Sequence, residues 1–452
     1  MSIPNSSLDT IQNACIIFLT FPIIIYVLIT FISIMKKPCK VYLVDHASFK
    51  PKKCQEITRQ KYISTFKPTC PNFTDETLEL ISKLVMTSGF GDMTYQAEAY
   101  LSTPPNFSTN NARLEAEAAM LTTVKTLLTK TRVKPQEIGI LVVNCSLFNP
   151  ISSLTSMIIN KFKLMDEIKS FNLSGMGCSA GLVAIDLAHH LLKVHKNTYA
   201  LVVSTETLAQ AMYMGNELLK QAANCLFRVG GSAILLSNKA SDKYVSKYQL
   251  MHSVRTNTSS SNTSYRCIHL EEDSLGLRGI NLNRGLVIEV GHTIKANVTL
   301  IGHLILPLRE KILFGLDYLW PKKSSKPYKP NFVRVIDHFV CVMSELKPVI
   351  DALESTIKLD VEAARMTLHR FGNTSSSSVW YGLAYLEAKR KIKKSDRIWQ
   401  IAFGSGFKCN SVIWRALKNV DREEDNPWNE EIDLYPIYED FKAYPLDFDK
   451  LK

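Results

Sequence analysis

No two of the ten cysteines stand in a C-x-x-C pair, and their spacing follows no repeat. That excludes a zinc ribbon and the disulfide framework of a small secreted domain. Scattered thiols of this kind suit a reducing compartment. Aromatic-basic repeats and the usual nucleic-acid signatures are absent too, so nucleic acid is not an expected partner. A dinucleotide fingerprint is missing as well. The glycine cluster "GMGCSAG", Gly175 to Gly181, has the spacing G-x-G-x-x-x-G, one residue too long, and no acid at the end of a following strand is placed to hold a ribose. No short-period repeat is visible.

Charge is absent from all 22 positions between Ala14 and Met35. An uncharged run of that length can cross a bilayer as a helix, and its Pro22 is tolerated there as a kink. No basic segment precedes it, which argues against a signal peptide. Lys36, Lys37 and Lys40 follow it, whereas Asp9 is the one charged side chain before it. By the positive-inside rule the rest of the chain faces the cytosol. Net charge is +12, unevenly spread: eleven acids and four bases lie from Asp421 onward, so the remainder carries +19. A basic body suits an anionic lipid surface or a phosphorylated substrate. N-x-S/T triplets at Asn72, Asn144 and Asn373 would go unused in a cytosolic body.

The 452 residues, 46% apolar, suffice for a two-lobed core or two domains. Asp45 to Pro71 is basic and proline-punctuated and reads as a link along the membrane face. From Phe73 onward helix and strand patterns alternate. Ala112 to Thr129 and Ser179 to His195 predict helices. Ile138 to Ser146, Tyr199 to Thr205 and Ser232 to Asn238 predict buried strands. Thr256 to Ser264 reads as a polar loop. "HFVCV" from His338 predicts a strand, with a helix from about Leu346. "RIWQIAFGSGF" predicts a strand running into a glycine turn. Such alternation implies an α/β fold with buried sheets. The resulting division is residues 1–40 (anchor), 41–72 (membrane-proximal link), 73–240 (first half), 241–420 (second half) and 421–452 (an acidic tail that wraps or dangles).

Three places hold candidate chemistry. Cys178 sits between glycines just before a helix, whose positive end favours the thiolate. A thiolate there can attack a thioester, with backbone N–H groups to hold the oxyanion; a buried inert cysteine is the plainer alternative. In "TLHRFGNTSSSS", His369 and Asn373 stand four apart, and an imidazole with a carboxamide can hold an enolate oxygen. Equally, Asn373 can cap a helix while His369 packs. "GSGFKCNS", Gly404 to Ser411, forms a site wall or simply ends a strand.

"GMGCSAG", "LFRVGGSAILLSNK", "LHRFGNTSSSS" and "GSGFKCNSVIW", together with "KVYLVD" and "IGILVVNCSLFNP", resemble the plant very-long-chain 3-ketoacyl-CoA synthases from about Val41 to about Pro436. The resemblance implies a thiolase-like αβαβα five-layer sandwich of two similar halves, here preceded by one transmembrane helix where the family usually has two. It implies a decarboxylating Claisen condensation of acyl-CoA with malonyl-CoA, with no metal or redox cofactor. It also implies an endoplasmic reticulum membrane location, a homodimer, and the reductase and dehydratase of elongation as partners. By motif match Cys178 is the nucleophile, Asn373 holds the oxyanion and His369 matches the histidine before it. The family's VRTH reads VRTN here, leaving Asn257. Its HFCxHAGGRAVID reads "HFVCVMSELKPVID", His338 to Asp351. Aligned on Val349-Ile350-Asp351, Met343 stands where the main catalytic histidine belongs, and Glu345-Leu346 replace two glycines. His338 matches the motif's first histidine once an inserted residue is allowed, and is a fourth catalytic candidate. An imidazole keeps a cysteine ionised and helps to stabilise an enolate; a thioether does neither. Two readings therefore stand: a condensing enzyme, slowed, or a non-catalytic homologue that binds acyl-CoA or elongase partners.

Overall fold

Strands whose residues alternate between two different apolar cores organise the molecule. The computed structural model describes residues 39–438 apart from 103, 284, 321–327, 343–352 and 355–356. The uncharged run at 14–35, Met343 and the helix expected from Leu346 lie outside the described residues. Among the described residues no helix is long and apolar enough to cross a membrane.

Strand β1 spans Tyr42–Ser48, β2 Ile138–Asn144, β3 Lys169–Leu173, β4 Tyr199–Glu206, β5 Gly230–Ser237, β6 Tyr248–Asn257, β7 His338–Cys341, β8 Arg397–Gly404 and β9 Lys408–Ala416. They form one mixed nine-stranded sheet in the order β7-β8-β9-β6-β1-β5-β4-β2-β3. β1 pairs along its length with β5, but with β6 only through Tyr42–Gln249 and Leu43–Tyr248. That two-residue seam separates a first half, β1 to β5, from a second, β6 to β9.

Helices α1 (Thr109–Thr131), α2 (Leu154–Phe162), α3 (Ala180–Val194), α4 (Leu218–Leu226), α5 (Leu286–Ile305), α6 (Glu362–Phe371) and α7 (Ser378–Ala388) fill the spaces. In β2, Leu141 and Val143 join the core under α1 and α2, whereas Ile140 and Val142 join the core around α3 and α7. In β8, Ile398 and Ala402 face that same middle core, and Trp399, Ile401 and Phe403 face the core of α5. Strands buried on both faces read as continuous apolar runs, as these do. α7 is buried all round, as a helix between two sheets must be. The layers are thus α1 and α2, the first half-sheet, α3 and α7, the second half-sheet, and α5: the expected five-layer αβαβα order.

One expectation changes, and one open alternative closes. The stretch read as a membrane-proximal link contains β1, in the middle of the sheet. Its Asp45 and His46 are buried because distant charges meet them: Lys130 and Lys247 at Asp45 (3.0 and 2.8 Å) and Glu387 at His46 (3.2 Å). Arg59–Thr69 is a helix that buries Tyr62 and Phe66. The acidic tail, as far as residue 438, wraps: Trp428, Ile432 and Tyr435 are buried, and Glu431 reaches Arg370 at 3.0 Å.

Candidate active site

The amino-terminal ends of the two middle helices, α3 and α7, meet at one place. A Cβ on Gly181 of α3 would lie 2.4 Å from the Ser376 carbonyl oxygen just before α7, so only glycine allows this approach. A short turn, Gly177–Ser179, carries Cys178 into α3. The end of β8 presses on that turn. A Cβ on Gly404 would lie 2.6 Å from the Met176 carbonyl oxygen and 2.9 Å from the Cys178 backbone nitrogen. Backbone crosses backbone here and fixes the cysteine at the amino-terminal end of α3, the positive end of the helix dipole.

Asn373 arrives by a different route. α6 ends at Phe371, and Gly372 (φ +69°) turns the chain. The Asn373 carbonyl accepts from the Arg228 backbone N–H at 2.9 Å, tying it beside Phe227. Its side-chain Oδ1 accepts the Ser375 N–H at 2.8 Å, which decides which edge of the amide carries the donors. Cys178 Sγ lies 4.0 Å from this Oδ1. Asn373 is buried and Cys178 half-buried.

Both line a cavity of about 540 Å³, within the usual size of a small-molecule site. Its lining divides by chemistry. Ser146, Glu206, Asn373 and Ser375 accompany Cys178. The rest is mainly apolar: Ala222 and Leu226 of α4, Ile280 and Leu282 of a hairpin (Ile268–Glu272 with Arg278–Leu282), Leu286 and Val290 of α5, then Phe403 and Phe407. A half-buried thiol beside a carboxamide, next to an apolar chamber, has the parts needed to hold an acyl chain as a thioester.

Glu206, at the end of β4, joins the parts. Its carboxyl accepts from the Ser146 and Leu147 N–H groups (3.1 and 2.8 Å), the Ser375 hydroxyl (3.0 Å) and the Cys145 thiol (3.3 Å). Burial pushes its pKa up, against those hydrogen bonds. Sequence reasoning passed over Glu206; an acid closing an apolar strand was the available signal. It also passed over Ser375 and over His269, the histidine that lines the cavity among the described residues.

The other candidates lie elsewhere. His369 is buried within α6, its Nδ1 3.0 Å from the Tyr435 hydroxyl and its ring against Gly91. His338 opens β7, paired in register with Ile398 and hydrogen-bonded through Nε2 to Asp396 at 2.9 Å. Six residue steps along β8 lead from Ile398 to Gly404, about 20 Å at 3.3 Å per residue. Neither histidine lines the cavity. Asn257 ends β6 and accepts from Ser259. Burial raises the thiols of Cys70 and Cys267 to about 11 and of Cys341 to about 12.

Residues 33–323 match the family model described as FAE1/Type III polyketide synthase-like protein, and residues 333–416 match the C-terminal model of 3-oxoacyl-[acyl-carrier-protein] synthase III. Among solved structures, 1,3,6,8-tetrahydroxynaphthalene synthase from Streptomyces coelicolor A3(2) superposes with a TM-score of 0.64 at 16% identity, covering 83% of this chain and 99% of that one. A fungal type III polyketide synthase, ORAS, gives 0.63 with the same coverage and identity. These establish the thiolase-like fold. The chain is 46% identical to 3-ketoacyl-CoA synthase 17 of Arabidopsis thaliana over 424 residues, 92% of this chain and 87% of that protein. It is 48% identical to 3-ketoacyl-CoA synthase 9 of the same plant over 416 residues, 91% and 81% of the two. On this fold, this cavity and this degree of identity, the chain belongs to the plant 3-ketoacyl-CoA synthases of the FAE1/type III polyketide synthase-like family.

Proposed function

We propose that the protein condenses a long-chain acyl-CoA with malonyl-CoA in very-long-chain fatty acid elongation. The observation that carries this reading is the meeting of Cys178 and Asn373 at an apolar chamber. The Cys178 thiolate attacks the acyl-CoA carbonyl, an acyl thioester forms on its sulfur, and CoA leaves as the thiol after taking up a proton. Malonyl-CoA then loses carbon dioxide, and the electrons of the broken C–C bond form an enolate. The Asn373 amide N–H stabilises the enolate oxygen. The enolate carbon attacks the acyl thioester, Cys178 departs as thiolate, and a 3-ketoacyl-CoA two carbons longer is released. The apolar lining holds the acyl chain out of water.

The same reading places the chain in the endoplasmic reticulum membrane through residues 14–35, body to the cytosol, as a homodimer working with an elongase reductase and dehydratase. The uncharged run and the lysines after it support the anchor. Its test is alkaline carbonate extraction of microsomes: release of full-length protein rejects the anchor. The activity is tested by the incorporation of radiolabelled malonyl-CoA into longer acyl chains by microsomes carrying the full chain. Cys178→Ser should abolish it; equal incorporation by that variant rejects the mechanism.

A further inference from the structure

The helix Leu308–Leu319 is amphipathic the wrong way round for a soluble protein. Its acids point inward: Glu310 is 4% exposed and accepts from the Tyr328 hydroxyl (2.6 Å) and the Asn331 N–H (3.0 Å), while Asp317 accepts the Tyr328 N–H at 2.7 Å. Its large apolar residues point outward. Leu308, Ile312, Leu316 and Leu319 recur at helical spacing with exposures of 72, 51, 49 and 66%, and Trp320 follows at 71%. On the preceding turns of α5, Leu300 and Leu304 are also exposed. Scattered surface leucines need no explanation, but a contiguous stripe does.

Charge identifies what covers it. From Gly291 to Val335 the sequence holds eight bases and two acids, and the two acids are the inward-turned Glu310 and Asp317. Arg309, Lys329 and Arg334 are exposed. Apolar side chains with a tryptophan at the end of the helix, set in cationic surroundings, are what an anionic lipid leaflet accepts. The same helix α5 carries Leu286 and Val290 into the wall of the acyl cavity.

We propose that the stripe from Leu300 to Trp320 lies in the lipid–water interface of a leaflet with anionic headgroups. It is a second membrane contact, made by the folded body and independent of the residue 14–35 segment.

Trp320 is its reporter. The chain has five tryptophans, and the other four, Trp380, Trp399, Trp414 and Trp428, are fully buried. The experiment reconstitutes the full chain in phosphatidylcholine vesicles with about 30% phosphatidylserine, with and without brominated acyl chains. Brominated lipid should quench a fluorescence component that Trp320→Phe removes. Ile312→Glu with Leu316→Glu should lower that quenching at least about twofold, with circular dichroism unchanged. Aqueous iodide should reach Trp320 in detergent-free vesicles poorly. Quenching by iodide but not by brominated lipid overturns the proposal. Protection from both also overturns it and assigns the stripe to a second copy of the chain. Carbonate extraction reports on the anchor alone, so its failure and that of the stripe are distinguishable.

Discussion

The Ser375 hydroxyl donates to the buried Glu206 carboxyl across 3.0 Å, and the N–H of the same serine holds Asn373 Oδ1 at 2.8 Å. Through Ser375, the acid at the end of β4 sets the amide that faces Cys178.

Glu206→Gln should therefore damage the chemistry rather than acyl binding. Two backbone N–H groups, a hydroxyl and a thiol converge on two carboxyl oxygens. Glutamine keeps one oxygen and turns an NH₂ donor toward the remaining donors. We expect kcat to fall about 10- to 100-fold with KM for acyl-CoA nearly unchanged, against about 100- to 1,000-fold for Asn373→Ala, the cost of removing an oxyanion donor outright. Ser375→Ala should fall between Glu206→Gln and wild type. Steady-state kinetics beside thermal melts check this; equal losses in kcat and melting temperature for all three would mean a structural role only.

Cys178 should be the thiol that acyl-CoA protects. Exposed Cys54 will also react with an alkylating agent, but among the described cysteines only Cys178 lines the cavity. Burial raises the Cys70, Cys267 and Cys341 thiols to about 11 or 12. Mass-spectrometric mapping after limiting iodoacetamide should find Cys178 labelled in free protein and spared after acyl-CoA. Labelling of Cys178 unchanged by acyl-CoA would count against the thioester.

His338→Gln should leave turnover within about twofold of wild type, because β7 starts at the end of the sheet remote from Cys178, about 20 Å from Gly404 along the strands. β7 runs parallel to β8, and Val342 donates to the Ile401 carbonyl at 3.0 Å, so the strand heads toward the site end before the chain continues to Met343. Met343→His should raise the rate of malonyl-CoA incorporation, and restoring His-Ala-Gly-Gly across Met343 to Leu346 should raise it further. A well-placed imidazole commonly contributes about 100-fold or more. No gain in either folded variant, with wild-type turnover matching that of a histidine-bearing relative, would show that another group supplies the imidazole, with His269 in the cavity wall the first to replace.

Local pattern made some of this legible. β2 reads as a buried strand because each of its faces meets an apolar core, and Cys178 stands out because glycines precede a helix start. What failed was whatever depended on distant partners. β1 carries Asp45 and His46 in its middle, which looks like a linker until Lys130, Lys247 and Glu387 arrive from three other elements. Glu206 is a lone acid whose four donors come from two separate segments. His369 and Asn373, four apart, would share a helix face, but the helix stops at Phe371 and Gly372 turns the chain, so the pair separates. Gly372 itself was the available stop signal, since glycine commonly ends a helix.

The charge cluster that makes β1 a strand predicts an acid-dependent stability. Lys247 Nζ lies 2.8 Å from Asp45, 3.2 Å from Glu387 and 2.8 Å from Glu423. Burial alone would raise the pKa of Asp45 and Glu387, but Lys247, helped by His46 at both and by Lys130 at Asp45, overrides it and holds both below the ordinary carboxylate range. A carboxylate depressed in the folded state contributes its stability in full above its unfolded value, about 4 to 4.5, and loses it as pH falls below that. Lys247→Met should reverse the sign. With Lys247 gone, Asp45 keeps Lys130 (3.0 Å), but Glu387 loses its largest charge partner, so burial dominates there and its folded pKa rises above the unfolded value. The variant is then worst where the Glu387 carboxylate must stay charged, and acid relieves it by protonating that group. Removing one partner of a buried pair costs about 3–5 kcal/mol. Thermal melts of the full chain in detergent should show the gap between wild type and Lys247→Met largest near pH 7.5 and narrowing toward about pH 5. A gap that does not change with pH would mean that Lys247 acts through packing of its stem rather than through its charge.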